Sequence, residues 1–84
     1  MNSEKFVKAC KNVVTEYMTR KHEIDNNEFD IYVVWLSKTL QNSKALLSTS
    51  YQSEEYFELT YNGDKHELYL DVYDKVKNEA ITLD

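Results

Sequence analysis

Few side chains in this sequence carry chemistry of their own: Cys10, His22, His66 and fifteen Asp or Glu carboxylates. A nucleophilic thiol needs a base beside it, and a zinc site needs Cys or His at short fixed intervals. Cys10 sits among Phe6, Val7, Val13 and Val14, and neither histidine has a Cys or His at ligand spacing. Cys10 is therefore expected to be a small core residue. As the only cysteine it can form no internal disulfide, which fits a reducing compartment. Asp25, Glu28 and Asp30 gather in EIDNNEFD, but the glycine and the closing glutamate of a calcium-binding loop are missing. Glu54, Glu55, Asp64, Asp71 and Asp74 fall in expected turns or at an expected helix start, where acids occur for structural reasons. No glycine-rich loop is present to cradle a phosphate. These patterns point to no enzymatic activity, no metal and no cofactor.

The tyrosines are the stronger signal: seven of them, with one tryptophan, in 84 residues. Tyr17, Tyr61 and Tyr73 fall on expected core faces, where packing accounts for them. Tyr56, Glu58, Thr60, Glu67 and Tyr69 fall on the outward face of two expected strands. Exposed aromatics are enriched at protein interfaces, so these five form a candidate protein-contact face. The plainer alternative is a wet face on which cross-strand aromatic pairs stabilise the sheet.

Net charge is −5 and unevenly spread: residues 1–42 carry six basic and six acidic side chains, residues 43–84 four and nine. An acidic half repels a phosphate backbone, so direct nucleic-acid binding is not expected. Acidity suits a basic protein partner, or simply keeps a small domain in solution. The opening MNSEKFVKAC has lysines at positions 5, 8 and 11 and no apolar run, unlike a secretory signal peptide. No window approaches the roughly 20 apolar residues of a membrane span. A soluble cytoplasmic protein with no membrane partner is the expectation.

The elements that must position these residues follow from periodicity. Phe6, Val7, Cys10, Val13, Val14, Tyr17 and Met18 share one helical stripe, which predicts a helix over about 3–21 with Ser3 as N-cap. Asp25-Asn26-Asn27 makes a turn-rich connector anchored by Ile24 and Phe29. Four strands then follow: IYVVWLSKTLQ, KALLSTSY, YFELTY and KHELYL. The first puts Ile31, Val33 and Trp35 on one face and Tyr32, Val34, Leu36 and Leu40 on the other. That reads as a central strand, or one covered on both sides at its start. Asn62-Gly63 predicts a tight type I′ hairpin, which would set Glu58 near Glu67 and Tyr56 near Tyr69, with His66, Leu68 and Leu70 inward. From Asp71 the period changes: Val72, Tyr73, Val76, Ala80 and Ile81 fit a short helix over about 72–81. The alternative continues the strand to Tyr73. The sum is a single α+β domain over 1–84, α-β-β-β-β-α, an antiparallel meander with both helices on one face.

Val33–Ser50, with Trp35 and Lys38-Thr39-Leu40-Gln41, and Tyr56–Asn78, with Tyr61-Asn62-Gly63-Asp64-Lys65, resemble a family of small uncharacterised proteins. Phages and prophages of low-GC Gram-positive bacteria encode them. The helix MNSEKFVKACKNVVTEYM is similar to the family's start, so the resemblance spans nearly the whole chain. Where an aromatic and a cysteine often follow the tryptophan in that family, this chain has Leu36-Ser37. The resemblance implies a phage origin and the host bacterial cytoplasm, and brings no catalytic residues with it. By analogy the partner is a host protein. Two alternatives stand beside that reading. One is a homodimer or structural module joined through Tyr32, Val34 and Leu36. The other is a nucleic-acid mimic in which Glu54, Glu55, Glu58, Asp64, Glu67 and Asp71 stand in for phosphates.

Overall fold

The computed structural model describes residues 2–51, 55–74 and 80–83. The chain opens with α1, Ser3–His22, which spans 20 residues. Phe6, Cys10, Val14 and Met18, four apart, form a stripe sealed from solvent, as residues near the 3.6-residue period must when one face is packed. Asn2, rather than Ser3, caps the helix: its Oδ1 accepts the Lys5 amide at 2.8 Å. That is the cap-to-third-residue bond which satisfies an orphan N–H, and it leaves Ser3 already inside the first turn. At the far end Arg20, Lys21 and His22 complement the helix dipole. Glu23 then turns left-handed at φ 53° and stops the helix.

Four strands follow, β1 Ile31–Thr39, β2 Asn42–Thr49, β3 Glu55–Asn62 and β4 Glu67–Asp74, antiparallel and in the order β1-β2-β3-β4. This is the expected meander. α1 lies on its inner face against β1, β2 and β3. The core between the layers joins the helix stripe to Phe29, Ala45, Leu47, Phe57, Leu59 and Tyr61, with Ile24 packed at its margin. Each large apolar side chain fully buried here contributes roughly 1.5–3 kcal/mol before entropy is counted.

Along β3 alternate residues are buried, and the first of them is an acid, Glu55. Its side chain is 1 % exposed. Oε2 accepts Lys21 Nζ at 2.7 Å and Tyr17 Oη at 3.2 Å, while Oε1 lies 2.7 Å from His22 Nε2. The last turn of α1 is thereby fastened to the start of β3. Tyr17 also packs edge-on against Phe57, with ring centroids 5.3 Å apart.

Besides the N-cap, three expectations change. The first is β1, which lies at the edge of the sheet, because a meander leaves its first strand without a second neighbour. It also carries a bulge. Val33 pairs with Leu47 but Trp35 with Leu46, so Val34 is an extra residue. A one-residue slip inverts every side chain that follows. Trp35 therefore leaves the face of Ile31 and Val33 for the outer one, and Leu36 pairs with Ala45 on the helix side.

The second is the β3–β4 hairpin, which turns through residues 63–66 rather than through two residues. Asn62 Oδ1 accepts the amides of Asp64 and Lys65, at 3.1 and 3.2 Å, and the left-handed residue is His66 at φ 54°. His66 thus belongs to the turn and not to the inward set of β4. Gly63 has no positive φ. It is needed for space instead, because the β1–β2 turn packs against it. A Cβ there would stand 2.3 Å from the Gln41 carbonyl oxygen. Its amide donates to Asn42 Oδ1 at 3.2 Å.

The third is the C-terminal helix. Val72, Tyr73 and Asp74 belong to β4, as the alternative reading had it. Residues 75–79 of the expected helix lie outside the described residues, and 80–83 have no regular structure. The element order that the structure shows is α-β-β-β-β.

Gly63→Ala should therefore destabilise the protein by about 1–3 kcal/mol, the usual cost of overpacking, read as a shift in the urea midpoint. A type I′ turn would instead predict that Gly63→Asn is tolerated. With backbone at 2.3 Å, Asn is expected to cost as much as Ala or more.

Candidate functional site

The outer face of the sheet carries no packed layer among the described residues, and its composition follows from the register. Tyr32, Ser48, Tyr56 and Tyr73 form one row across the four strands, Trp35, Leu46, Glu58 and Asp71 the next, and Ser37, Lys44, Thr60 and Tyr69 a third. Asn62 and Glu67 pair beyond it. Tyr56, Glu58, Thr60, Glu67 and Tyr69, the five residues singled out in the sequence, do share this face. Their neighbours differ from the count made through a two-residue turn, since the longer loop shifts the register. Tyr56 opposes Tyr73, Glu58 opposes Asp71, and Thr60 opposes Tyr69.

Three residues that matter to this face were assigned elsewhere. Tyr73, expected in a core helix, is half exposed and stands beside Tyr56. The outward alternation Glu67-Tyr69-Asp71, carried two residues further, would have placed it. Trp35 arrives through the bulge, for which the sequence has no marker. Tyr32, on the first strand, extends the aromatic row to the opposite edge. Four of the five rings here, Tyr32, Trp35, Tyr69 and Tyr73, are 40–51 % exposed. Rings of this size gain by burial, and such exposure gathers apolar ring area on one face of the sheet.

The charges are organised around Glu58. Lys44 Nζ lies 3.5 Å from its carboxylate and Tyr73 Oη donates to it at 3.4 Å. The negative charge of Glu58, with a smaller part from burial and from Asp71, holds the Tyr73 hydroxyl protonated above the usual tyrosine range. Burial, then a hydrogen bond with Glu67, does the same for Tyr69. Toward the β1 edge, Trp35, Ser37, Thr39, Lys44 and Thr60 line a shallow groove of about 420 Å³. Its lining combines an indole ring, several hydroxyls and one cation, so it can take an apolar side chain with a hydrogen-bonding group beside it.

The remaining candidates go elsewhere. Glu55 is in the core, and Glu54 lies outside the described residues. His22 is taken up by Glu55 and stacks near Tyr51, and His66 Nδ1 meets Tyr61 Oη at 2.7 Å. Cys10 is sealed under α1, where burial pushes its thiol up to about 11 and disfavours the thiolate. Asp25 and Glu28 close a turn on themselves through the Glu28 amide and Glu28 Oε2, and the Asp30 amide is tied to Ser50 Oγ at 2.8 Å. No helix among the described residues is long and apolar enough to cross a membrane.

Among the described residues, one helix laid on one face of a four-stranded antiparallel meander, with tyrosines and a tryptophan spread over the other, defines a small two-layer α+β protein. The chain belongs to a family of unknown function (DUF6275), which matches residues 7–83. No curated protein and no solved structure matches it significantly.

The two raised hydroxyls give a pH signature. A group held protonated by the fold contributes fully below its unfolded pKa, here the ordinary 10.0, and that contribution is lost as pH rises through the folded value. An absorbance titration at 295 nm should show two phenols ionising later than in the urea-unfolded chain. Stability should fall as pH rises past 10.0. Glu58→Gln should bring one of these phenols, Tyr73, back toward the ordinary value.

Proposed function

We propose that this protein is a binding module without catalytic activity, a phage- or prophage-encoded accessory protein. In this reading it works in the host bacterial cytoplasm by attaching to a host protein through the outer face of its sheet. The observation that carries the reading is the five aromatic rings of Tyr32, Trp35, Tyr56, Tyr69 and Tyr73 on the one face that α1 leaves bare. Fold stability gives no reason to leave four of them half wet, whereas a partner that buried them would remove apolar area at roughly 25 cal/mol per Å². Tyrosine and tryptophan are the residues on which interface energy concentrates, because a large ring is ordered at small entropic cost. The phage and host parts of the proposal rest on the resemblance carried by Trp35, Lys38-Thr39-Leu40-Gln41 and Tyr61–Lys65.

The geometry favours this reading over nucleic-acid mimicry. Of the six acids that would stand in for phosphates, Glu55 is buried and Glu58 is engaged by Lys44 and Tyr73. Asp64, Glu67 and Asp71 remain on the surface of the described chain, too few and too far to one side to imitate a regular backbone. The charge left over serves orientation and association rate more than affinity.

The test is comparative capture from a lysate of a low-GC Gram-positive bacterium. Three baits are used: the natural chain, a face variant carrying Tyr69→Ser and Tyr73→Ser, and a helix variant carrying Lys8→Glu and Lys11→Glu. One protein held by the natural chain and the helix variant, persisting at high salt and at least tenfold depleted on the face variant, is the expected result. Equal retention on the face variant, or release from all three at moderate salt, would overturn the assignment.

A further inference from the structure

The two edges of this sheet are not alike. A free edge presents unpaired N–H and C=O groups to any passing strand, and soluble proteins blunt it with charge. β4 is blunted, carrying Glu67, Asp71 and Asp74 in eight residues. β1 carries no carboxylate and one charge, Lys38. On it Tyr32, Val34, Trp35 and Leu36 are each 40–50 % exposed, and the register sends Trp35 outward and Leu36 to the helix side. The β1 edge is thus apolar on both sides of the sheet. Its bulge at Val34 leaves Trp35–Thr39 in regular step with β2, so a five-residue stretch of even backbone faces outward.

We infer that β1 pairs antiparallel with β1 of a second copy of this chain, across a two-fold axis near the Trp35–Ser37 stretch. The product is one continuous eight-stranded sheet with a helix on the same face of each half. Charge decides the occupant. Pairing β1 of one copy with β4 of another would lay Val34, Trp35 and Leu36 against the carboxylates of that edge, and it would propagate without closing. Pairing β1 with β1 about an axis near Trp35–Ser37 sets apolar residues against apolar ones, and it places each Lys38 opposite the Tyr32–Leu36 stretch of the other copy, so no like charges meet. It closes at two copies, because the acidic β4 edges then lie at the outer ends and resist further growth. A two-fold contact also does something for the outer face. Trp35, Ser37 and Thr39, which line the groove together with Lys44 and Thr60, belong to β1 itself, so the second copy brings its own Trp35 and Ser37 beside them. The dimer therefore presents two aromatic faces joined at the axis. This inference does not depend on the identity of any partner, nor on the outer face being a binding site.

Four half-exposed side chains and a paired edge per copy put the buried area near the lower end for specific interfaces, roughly 1,000 Å². Dissociation is accordingly expected in the micromolar range. Sedimentation of the full chain from micromolar to millimolar concentration should show the mass rising from 10.0 kDa toward twice that value. Val34→Lys and Leu36→Lys should each hold the protein at the single-chain mass with an unchanged circular dichroism spectrum, whereas Asp71→Lys should still dimerise. A further variant guards against misfolding. Leu36→Cys should cross-link to itself under mild oxidation while Asp71→Cys does not, with buried Cys10 not competing. A concentration-independent monomer overturns the inference. So does a dimer that survives both lysine variants, or one that cross-links through residue 71 as readily as through residue 36.

Discussion

One buried carboxylate fixes how the two layers meet. Glu55 opens β3 from inside the core, and it is held there by the ammonium of Lys21, the ring of His22 and the hydroxyl of Tyr17. An ionised carboxylate removed from water is strongly unfavourable unless its oxygens are paired and hydrogen-bonded, so the partners are a condition of the fold and not an ornament on it. All three stand in the last two turns of α1. The helix can therefore cross the sheet in only one way, its C-terminal end over the start of β3 and its apolar stripe over β2 and β3. Lys21 is bound to the site more firmly than an ordinary surface lysine. Its hydrogen bonds to Glu55 and Tyr17 raise the pKa of its ammonium, although the side chain is half exposed.

From that anchoring the difference between the two faces of the sheet follows. A helix directed over β1–β3 leaves β4 beside a groove lined by Val13, Tyr17, Arg20 and Leu70, and among the described residues no second layer covers the outer face. The inner face is spent on stability. The outer face contains five aromatic rings and an edge without acids, neither of which the core requires. The two unusual features of the chain, its tyrosine content and its uneven charge, are reconciled in this way. In the proposed reading the rings sit where a partner can reach them, and in the proposed dimer the carboxylates of β4 keep the outer edges unpaired.

Most of this was legible in the sequence, and the exceptions have physical causes. The helix, the meander and the shared face of Tyr56, Glu58, Thr60, Glu67 and Tyr69 follow from periods of 3.6 and 2, which burial enforces along whole elements. The side of the sheet on which Trp35 lies does not follow, because one extra residue at Val34 inverts everything after it and no residue type announces a bulge. Gly63 was legible as a special position but for a different reason: it makes room for Gln41, a contact between two turns distant in sequence. Glu55 was hidden by its type. Its place in the alternation Glu55-Phe57-Leu59-Tyr61 points inward, yet an acid beside Glu54 reads as loop until three partners from a helix more than thirty residues away are seen around it. The end of β4 turned on Tyr73, which fits a helical stripe and a strand equally well until its neighbour is known.

The most direct test of the account is the unfolding free energy of Glu55→Gln, measured by urea titration at neutral pH. Glutamine keeps the shape and can still accept from Tyr17, but it leaves Lys21 without its counter-charge and His22 without a carboxylate partner. A loss of about 3 kcal/mol, within the range for breaking one side of a buried ion pair, is the expected result, together with increased solvent access at Tyr17. A loss below about 0.5 kcal/mol, the level of an ordinary surface substitution, would contradict it. In that case the helix would be held by its apolar stripe alone, and Glu55 would not be what sets how the helix crosses the sheet.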